Sequence, residues 1–259
     1  MPKTQIIVAP DPSILIEKAA ARIAARISQS DTIVAVCLTG GSTPKPVYER
    51  LAKEPYSSSL PWDKIHWFWG DDRFVPIEDD RSNAGMAIKA LLRKIPVPPG
   101  NIHTIPTEVS TLEDASRIYQ EELQSFYGKT QLDPKVPLFD IVLMGLGADG
   151  HTASLFPGTS TFLETDRWVL GVQEAGLEPF VPRITLTIPV MASTQEMLFL
   201  VSGQSKREIL GRVLAGENFP ATSAYTEGNL IWLVDRNASP QEFSEGVTTL
   251  QNFQTEPKE

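Results

Sequence analysis

Ile33-Val34-Ala35-Val36-Cys37-Leu38-Thr39-Gly40-Gly41-Ser42-Thr43-Pro44 is the stretch from which the fold is read. Its first six residues are continuously apolar, the pattern of a strand buried on both faces of a parallel sheet. Two glycines then allow close backbone approach. Thr43-Pro44 opens a helix running to Leu51, with proline where its missing N–H is least costly. The unpaired N–H groups of that helix face the loop. The loop lacks the Gly-Lys-Ser/Thr ending of a Walker A motif. Taken alone, it reads equally as a phosphate cradle or as a plain strand–helix turn capped by Thr43.

The same alternation extends outward in both directions. Gln5 to Val8 reads as a strand, Asp11 as an N-cap and Pro12 as the first helical residue. Beyond Ile16, the residues Ala19, Ala20, Ile23 and Ile27 follow helical spacing. Further strands are expected at Ile65–Trp69, Phe139–Met144, Arg183–Thr187 and Met197–Val201, with Leu230–Val234 as the last. Helices are expected near Asn83–Arg93, Thr111–Tyr127 and Ser205–Leu214. The second of these opens on a capping-box-like Thr111/Asp114 pair and stops at Gly128. Such alternation predicts an α/β layered fold with a mainly parallel sheet, whose ligands bind at the carboxyl ends of the strands.

Composition narrows the function. The chain has 259 residues, 41% of them hydrophobic and 21% charged, which excludes disorder and fits one large domain or two small ones. No apolar run approaches the ~18 residues of a transmembrane helix, and Met1 to Pro10 lacks a signal-peptide core. One cysteine excludes an intrachain disulfide. These features together predict a cytoplasmic protein. Net charge is −9 with no Lys/Arg-rich run, so no nucleic-acid partner is expected. An anionic ligand would have to be met by cations concentrated locally. The polar tail from Gln241 to Glu259 is expected to be flexible.

Three other segments carry candidate chemistry. Gly145-Leu-Gly147-Ala-Asp149-Gly150-His151 satisfies G-x-G-x-x-G formally. Asp149 would however put a carboxylate where a pyrophosphate must lie, and Pro157-Gly158 leave no room for a dinucleotide-binding helix. It reads better as a turn presenting Asp149 and His151 to a cleft. Trp69-Gly70-Asp71-Asp72-Arg73 follows another strand, and Asn83 is either a helix start or a cleft residue. Arg183 opens a strand, and Lys206 stands near a helix N-terminus, unfavourable unless an anion is close. There is no G-x-S-x-G, no H-E-x-x-H, and His66 and His103 stand isolated, so serine-hydrolase and zinc chemistry are not expected.

Leu38-Thr-Gly-Gly-Ser-Thr-Pro44, Trp67 to Pro76 with Ser82-Asn83, and Gly145 to Gly158 resemble the 6-phosphogluconolactonase family, and Arg183-Ile-Thr-Leu-Thr187 with Gly203 to Lys206 continues the match. Asp72 departs from the family's more frequent glutamate. The resemblance implies a single three-layer α/β/α domain over residues 1–259 with a Rossmann-like sheet, no metal or organic cofactor, and hydrolysis of 6-phospho-D-glucono-1,5-lactone. It implies His151 as general base oriented by Asp149, and Arg73, held by Asp71, polarising the carbonyl or positioning the ring. Gly40, Gly41, Ser42, Thr43, Arg183 and Lys206 would take the phosphate, with Asn83, Gly147 and Gly150 lining the site. A monomer or weak homodimer is expected. The rivals are a glucosamine-6-phosphate deaminase and a non-catalytic sugar-phosphate-sensing module. Against the first, Phe156 stands where the deaminases carry an acid, and Arg73 where they usually have tyrosine. Against the second, neither terminus offers a basic helix-turn-helix.

Overall fold

The computed structural model describes residues 4–250. Its strands are β1 (Thr4–Ala9), β2 (Val34–Leu38), β3 (Ile65–Trp69), β4 (Asp71–Arg73), β5 (Ile141–Met144), β6 (Val169–Val172), β7 (Arg183–Leu186), β8 (Glu196–Val201), β9 (Asn229–Asp235) and β10 (Gly246–Thr249). The helices are α1 (Pro12–Ser28), α2 (Pro44–Leu51), α3 (Tyr56–Ser59), α4 (Asn83–Ala90), α5 (Leu112–Tyr127), α6 (Ile188–Ala192) and α7 (Arg207–Leu214). No helix among the described residues is long and apolar enough to cross a membrane.

Local chemistry sets these boundaries. Asp11 Oδ1 accepts the Ile14 N–H at 2.9 Å and Pro12 begins α1, whose Leu15, Ala19, Ala20, Ile23 and Ile27 are buried. Thr111 Oγ1 accepts the Asp114 N–H at 3.0 Å to start α5, and Gly128, at φ +77°, ends it in the left-handed region. The Asn83 helix stops at Ala90, short of the expected Arg93, and a separate 3-10 turn follows at Leu92–Lys94. Leu91, at φ −129° and ψ −63°, leaves helical geometry and ends α4, and Pro96 then holds Ile95 extended after the 3-10 turn.

The main sheet has seven strands in the order β10-β1-β9-β8-β5-β2-β3, all pairs parallel except β1 with β10. From β2 the chain steps outward to β3, and from β5 it steps the opposite way through β8 to β9. β2 and β5 are neighbours, so the strand order reverses between them. The crevice outside their carboxyl ends is therefore where ligands bind in such sheets. All five residues of β2 are buried, while Ile33, expected within it, precedes it and is exposed. β5 likewise starts at Ile141, with Phe139 making only an isolated bridge to Thr194.

Two expectations are corrected. Arg183 to Leu186 does not join the main sheet. β4, β7 and β6 form a separate antiparallel sheet, in which Arg73 and Arg183 are register partners. Nor is Leu230–Val234 the last strand among the described residues. Gly246–Thr249 pairs antiparallel with β1, all four of its residues exposed, and residues 251–259 lie outside the described ones.

Candidate active site

The loops after β2 and β5 lie side by side, since a Cβ on Gly145 would meet Thr39 Oγ1 at 3.9 Å. The buried Tyr48 hydroxyl holds the first loop, donating to Thr39 O at 2.7 Å and accepting the Thr39 N–H at 3.1 Å. Gly41, at φ +109°, and Ser42 are exposed, while Gly40 and Thr43 are half-buried. Thr43 has a helical backbone and makes no side-chain cap, so the first turn of α2 is not satisfied by its hydroxyl.

The second loop folds back on itself. Gly147 N–H donates to His151 O at 2.8 Å, and Gly150, at φ +87°, donates to Gly147 O at 3.1 Å. The His151 ring rests on Gly147, where a Cβ would sit 2.0 Å from Nδ1. His151 Nδ1 lies 2.6 Å from Asp149 Oδ1, which also accepts the His151 backbone N–H at 3.1 Å. Burial would raise the Asp149 carboxyl, but the hydrogen bonds and charge of His151 outweigh it and hold it below the usual range. An ionised carboxylate only accepts, so Nδ1 carries the proton and the neutral ring keeps its lone pair at Nε2. Nε2 has no hydrogen-bond partner among the described residues. Only a 3-10 turn follows, at Ser160–Leu163, and no long helix.

The third segment supplies the frame and one cation, Arg73. Asp71, expected to hold Arg73, has other partners: its carboxylate accepts Ser154 Oγ–H at 2.6 Å and Asn83 Nδ2–H at 3.3 Å. Asn83 Nδ2 also reaches Asp71 O at 3.0 Å, and its side chain fills the space a Cβ on Gly40 would need. Asn83 is thus both the first residue of α4 and a strut between loops. Asp72 is buried and accepts the N–H groups of Arg73, Asn83 and Ala84 at 2.7, 2.6 and 2.9 Å, which makes it the N-terminal cap of α4 beside Ser82. Burial pushes its carboxyl up to about 6 against those three donors.

Arg73 Nη1 donates to Arg81 O at 2.6 Å, and Arg183 Nη2 donates to Leu177 O and Pro179 O at 3.0 Å each. The Nε of both arginines is buried without a partner. Burial, and then the charge of Arg73, lower the Arg183 pKa. Lys206 Nζ donates to Leu146 O at 2.7 Å in the histidine loop; burial lowers its pKa, against the opposing charge of Asp149. Three cations therefore converge on the switch point of an acidic protein, none in a salt bridge with a carboxylate among the described residues. Unspent buried donors of one sign are what an anion would satisfy.

The model of the glucosamine-6-phosphate isomerases/6-phosphogluconolactonases matches residues 10–232. The chain belongs to this family. A Synechocystis 6-phosphogluconolactonase is 40% identical over 233 residues, spanning 87% of this chain and 92% of that one. A Nostoc 6-phosphogluconolactonase is 35% identical over 92% of this chain and 98% of its own. The crystal structure of the Thermotoga maritima 6-phosphogluconolactonase superposes with a TM-score of 0.77 at 31% identity, covering 90% of this chain and 100% of that one.

Within this family frame, the sequence had named His151, Asp149, Arg73, Arg183, Lys206, Asn83 and the glycine loops, and the fold brings them to one sheet edge. It had missed Ser154, whose hydroxyl ties the histidine loop to Asp71 and whose N–H donates to Thr185 Oγ1 at 3.3 Å. A serine inside an already singled-out loop gives no sign of a partner 83 residues away. His66 and His103 are not isolated: His66 Nδ1 lies 2.8 Å from His103 Nε2, and His103 Nδ1 2.7 Å from Glu122 Oε1.

Proposed function

We propose that this protein hydrolyses 6-phospho-D-glucono-1,5-lactone to 6-phospho-D-gluconate. The observation that carries the reading is the pairing, at one switch point, of an imidazole whose second nitrogen is unspent with two arginines whose buried Nε groups have no partner. The names of the relatives support the same substrate.

His151 Nε2 takes a proton from water as that water attacks the lactone carbonyl carbon, and Asp149 holds the ring in the tautomer that leaves Nε2 basic. The imidazolium then returns the proton to the departing ring oxygen, so one group serves both halves of the acyl transfer. Arg183, Lys206 and the Gly40–Thr43 amides take the 6-phosphate, and Arg73 stands where it can stabilise the carbonyl oxygen or the ring. Asn83, Gly147 and Gly150 give these groups their geometry. We take residues 1–259 as one domain acting as a monomer or weak homodimer in the cytoplasm, where a single buried Cys37 needs no oxidised partner.

The test is a continuous lactonase assay on freshly generated phospholactone, with a no-enzyme control because that ester also opens spontaneously. Turnover well above the control is expected. Ammonia release from glucosamine 6-phosphate, or tight binding of 6-phosphogluconate with no lactone turnover, would overturn the reading in favour of a deaminase or a sensor.

A further inference from the structure

Phe156 lies outside every role assigned so far, yet it touches both halves of the site. Its ring centroid is 4.9 Å from that of His151, with the planes tilted by 47°. On it sits the Arg183 guanidinium, 5.6 Å from the centroid. The ring is 2% exposed and is backed by Gly176, where a Cβ would come within 2.9 Å of Phe156 Cδ1. The segment that supplies Gly176 also supplies Leu177 O and Pro179 O, the two acceptors of Arg183 Nη2.

We infer that Phe156 is a positioning residue that sets the spacing between the group acting at the ester carbon and the cation holding the distant phosphate, and so determines selectivity for the phosphorylated lactone. The inference rests on the proposed lactonase reading. Its physical basis is that the imidazole and the guanidinium contact the same rigid ring. A planar side chain with two torsions, packed at crystal-like density, transmits position with little slack. A guanidinium over an aromatic face is also attracted to it, so the ring draws Arg183 toward the histidine loop. Gly176 is the fourth member, because only a residue without a side chain lets the segment close on the ring.

The experiment compares kcat and KM on phosphorylated and unphosphorylated glucono-1,5-lactone for the wild type, Phe156→Leu, Phe156→Tyr and Gly176→Ala, with thermal melts for each. Phe156→Leu keeps apolar volume but removes the ring, and should lower kcat and raise KM together, reducing the preference for the phosphorylated lactone about tenfold. Phe156→Tyr should restore most of that preference. Gly176→Ala leaves the ring in place but presses a methyl group on it, and should shift the preference the same way by a smaller factor. It also decides the matter if Phe156→Leu does not fold. Folded Phe156→Leu and Gly176→Ala proteins with lowered melting temperature but an unchanged preference would reduce Phe156 to core packing and overturn the inference. A wild type without lactonase turnover would instead overturn the reading beneath it.

Discussion

Two histidine–carboxylate pairs stand among the described residues, and they differ in what the second ring nitrogen meets. His103 Nδ1 is 2.7 Å from Glu122 Oε1, and His151 Nδ1 is 2.6 Å from Asp149 Oδ1, so at the first nitrogen the two are alike. They differ at the second. Glu122 fixes the His103 proton at Nδ1, which leaves Nε2 to accept from His66 at 2.8 Å, and the ring is stacked flat on Phe68 with centroids 4.3 Å apart. His151 Nε2 is unspent, on a glycine loop at the switch point, near Arg183 and Lys206. A carboxylate beside a histidine is thus only half of a site; the other half is a free lone pair facing charge that something else must neutralise.

His151→Ala should break the comparison most severely. A fall in kcat of about 10²–10⁴ is expected with the melting temperature little changed, while His103→Gln keeps near-normal turnover. Near-normal kcat in the His151 variant would remove it as the base. Arg183→Ala should raise KM for the phospholactone on the order of 10–100-fold with kcat nearly constant, the loss of one or two charge-assisted hydrogen bonds. Lys206→Ala should act the same way more weakly, and unchanged KM in both would move the phosphate elsewhere.

Ser154→Ala sharpens the contrast from the structural side. It leaves the buried Asp71 carboxylate short of a donor, which should cost about 1–3 kcal/mol in denaturant unfolding. An unaltered midpoint would mean the strut is dispensable.

The smallest effect belongs to the other pair. Burial, and then the neighbouring His103, hold His66 below its usual range. Between its ordinary pKa of about 6.5 and that lower value, the unfolded chain binds the proton and the fold does not, so stability falls as pH drops through this window. His66→Gln should therefore lose less melting temperature than the wild type between about pH 7 and 5, with activity unaffected. Asp72 works with the opposite sign. Its folded value of about 6 lies above that of a free carboxyl, so the stability linked to it is present in acid and declines as pH rises from about 4 to 6. Melting curves of an Asp72→Asn variant across that range should lack this decline.

What could be read in advance follows the range of the interactions. The β2 run, the α1 and α5 caps and the glycine loops are written in adjacent residues, and the folded chain carries them within a residue or two of where they were expected. Of the separate β4–β7–β6 sheet only β7 was legible as a strand, and its pairing was not, because β6 is only 4 residues long and β4 is 3 residues, all charged. β10 gave no alternation because all four of its residues are exposed. The site was half legible: Asp149, His151, Arg73 and Arg183 announce themselves by type and by their place after strands or at a strand start. Partnerships such as Asp71 with Ser154, His66 with His103, or Phe156 between two loops exist only once distant segments meet.

β1 is made long before either of its ladder partners. Its ladder partners are β9 and β10, at Asn229–Asp235 and Gly246–Thr249, so on the ribosome this strand emerges with nothing to pair with until those segments have followed. The β2, β3 and β5 neighbourhood beside the switch point can assemble earlier, from residues 34–144. Chains released before Asn229 would hold β2, β3 and β5 but leave the six residues of β1 without a ladder partner, the kind of unpaired segment on which nascent proteins stick to one another.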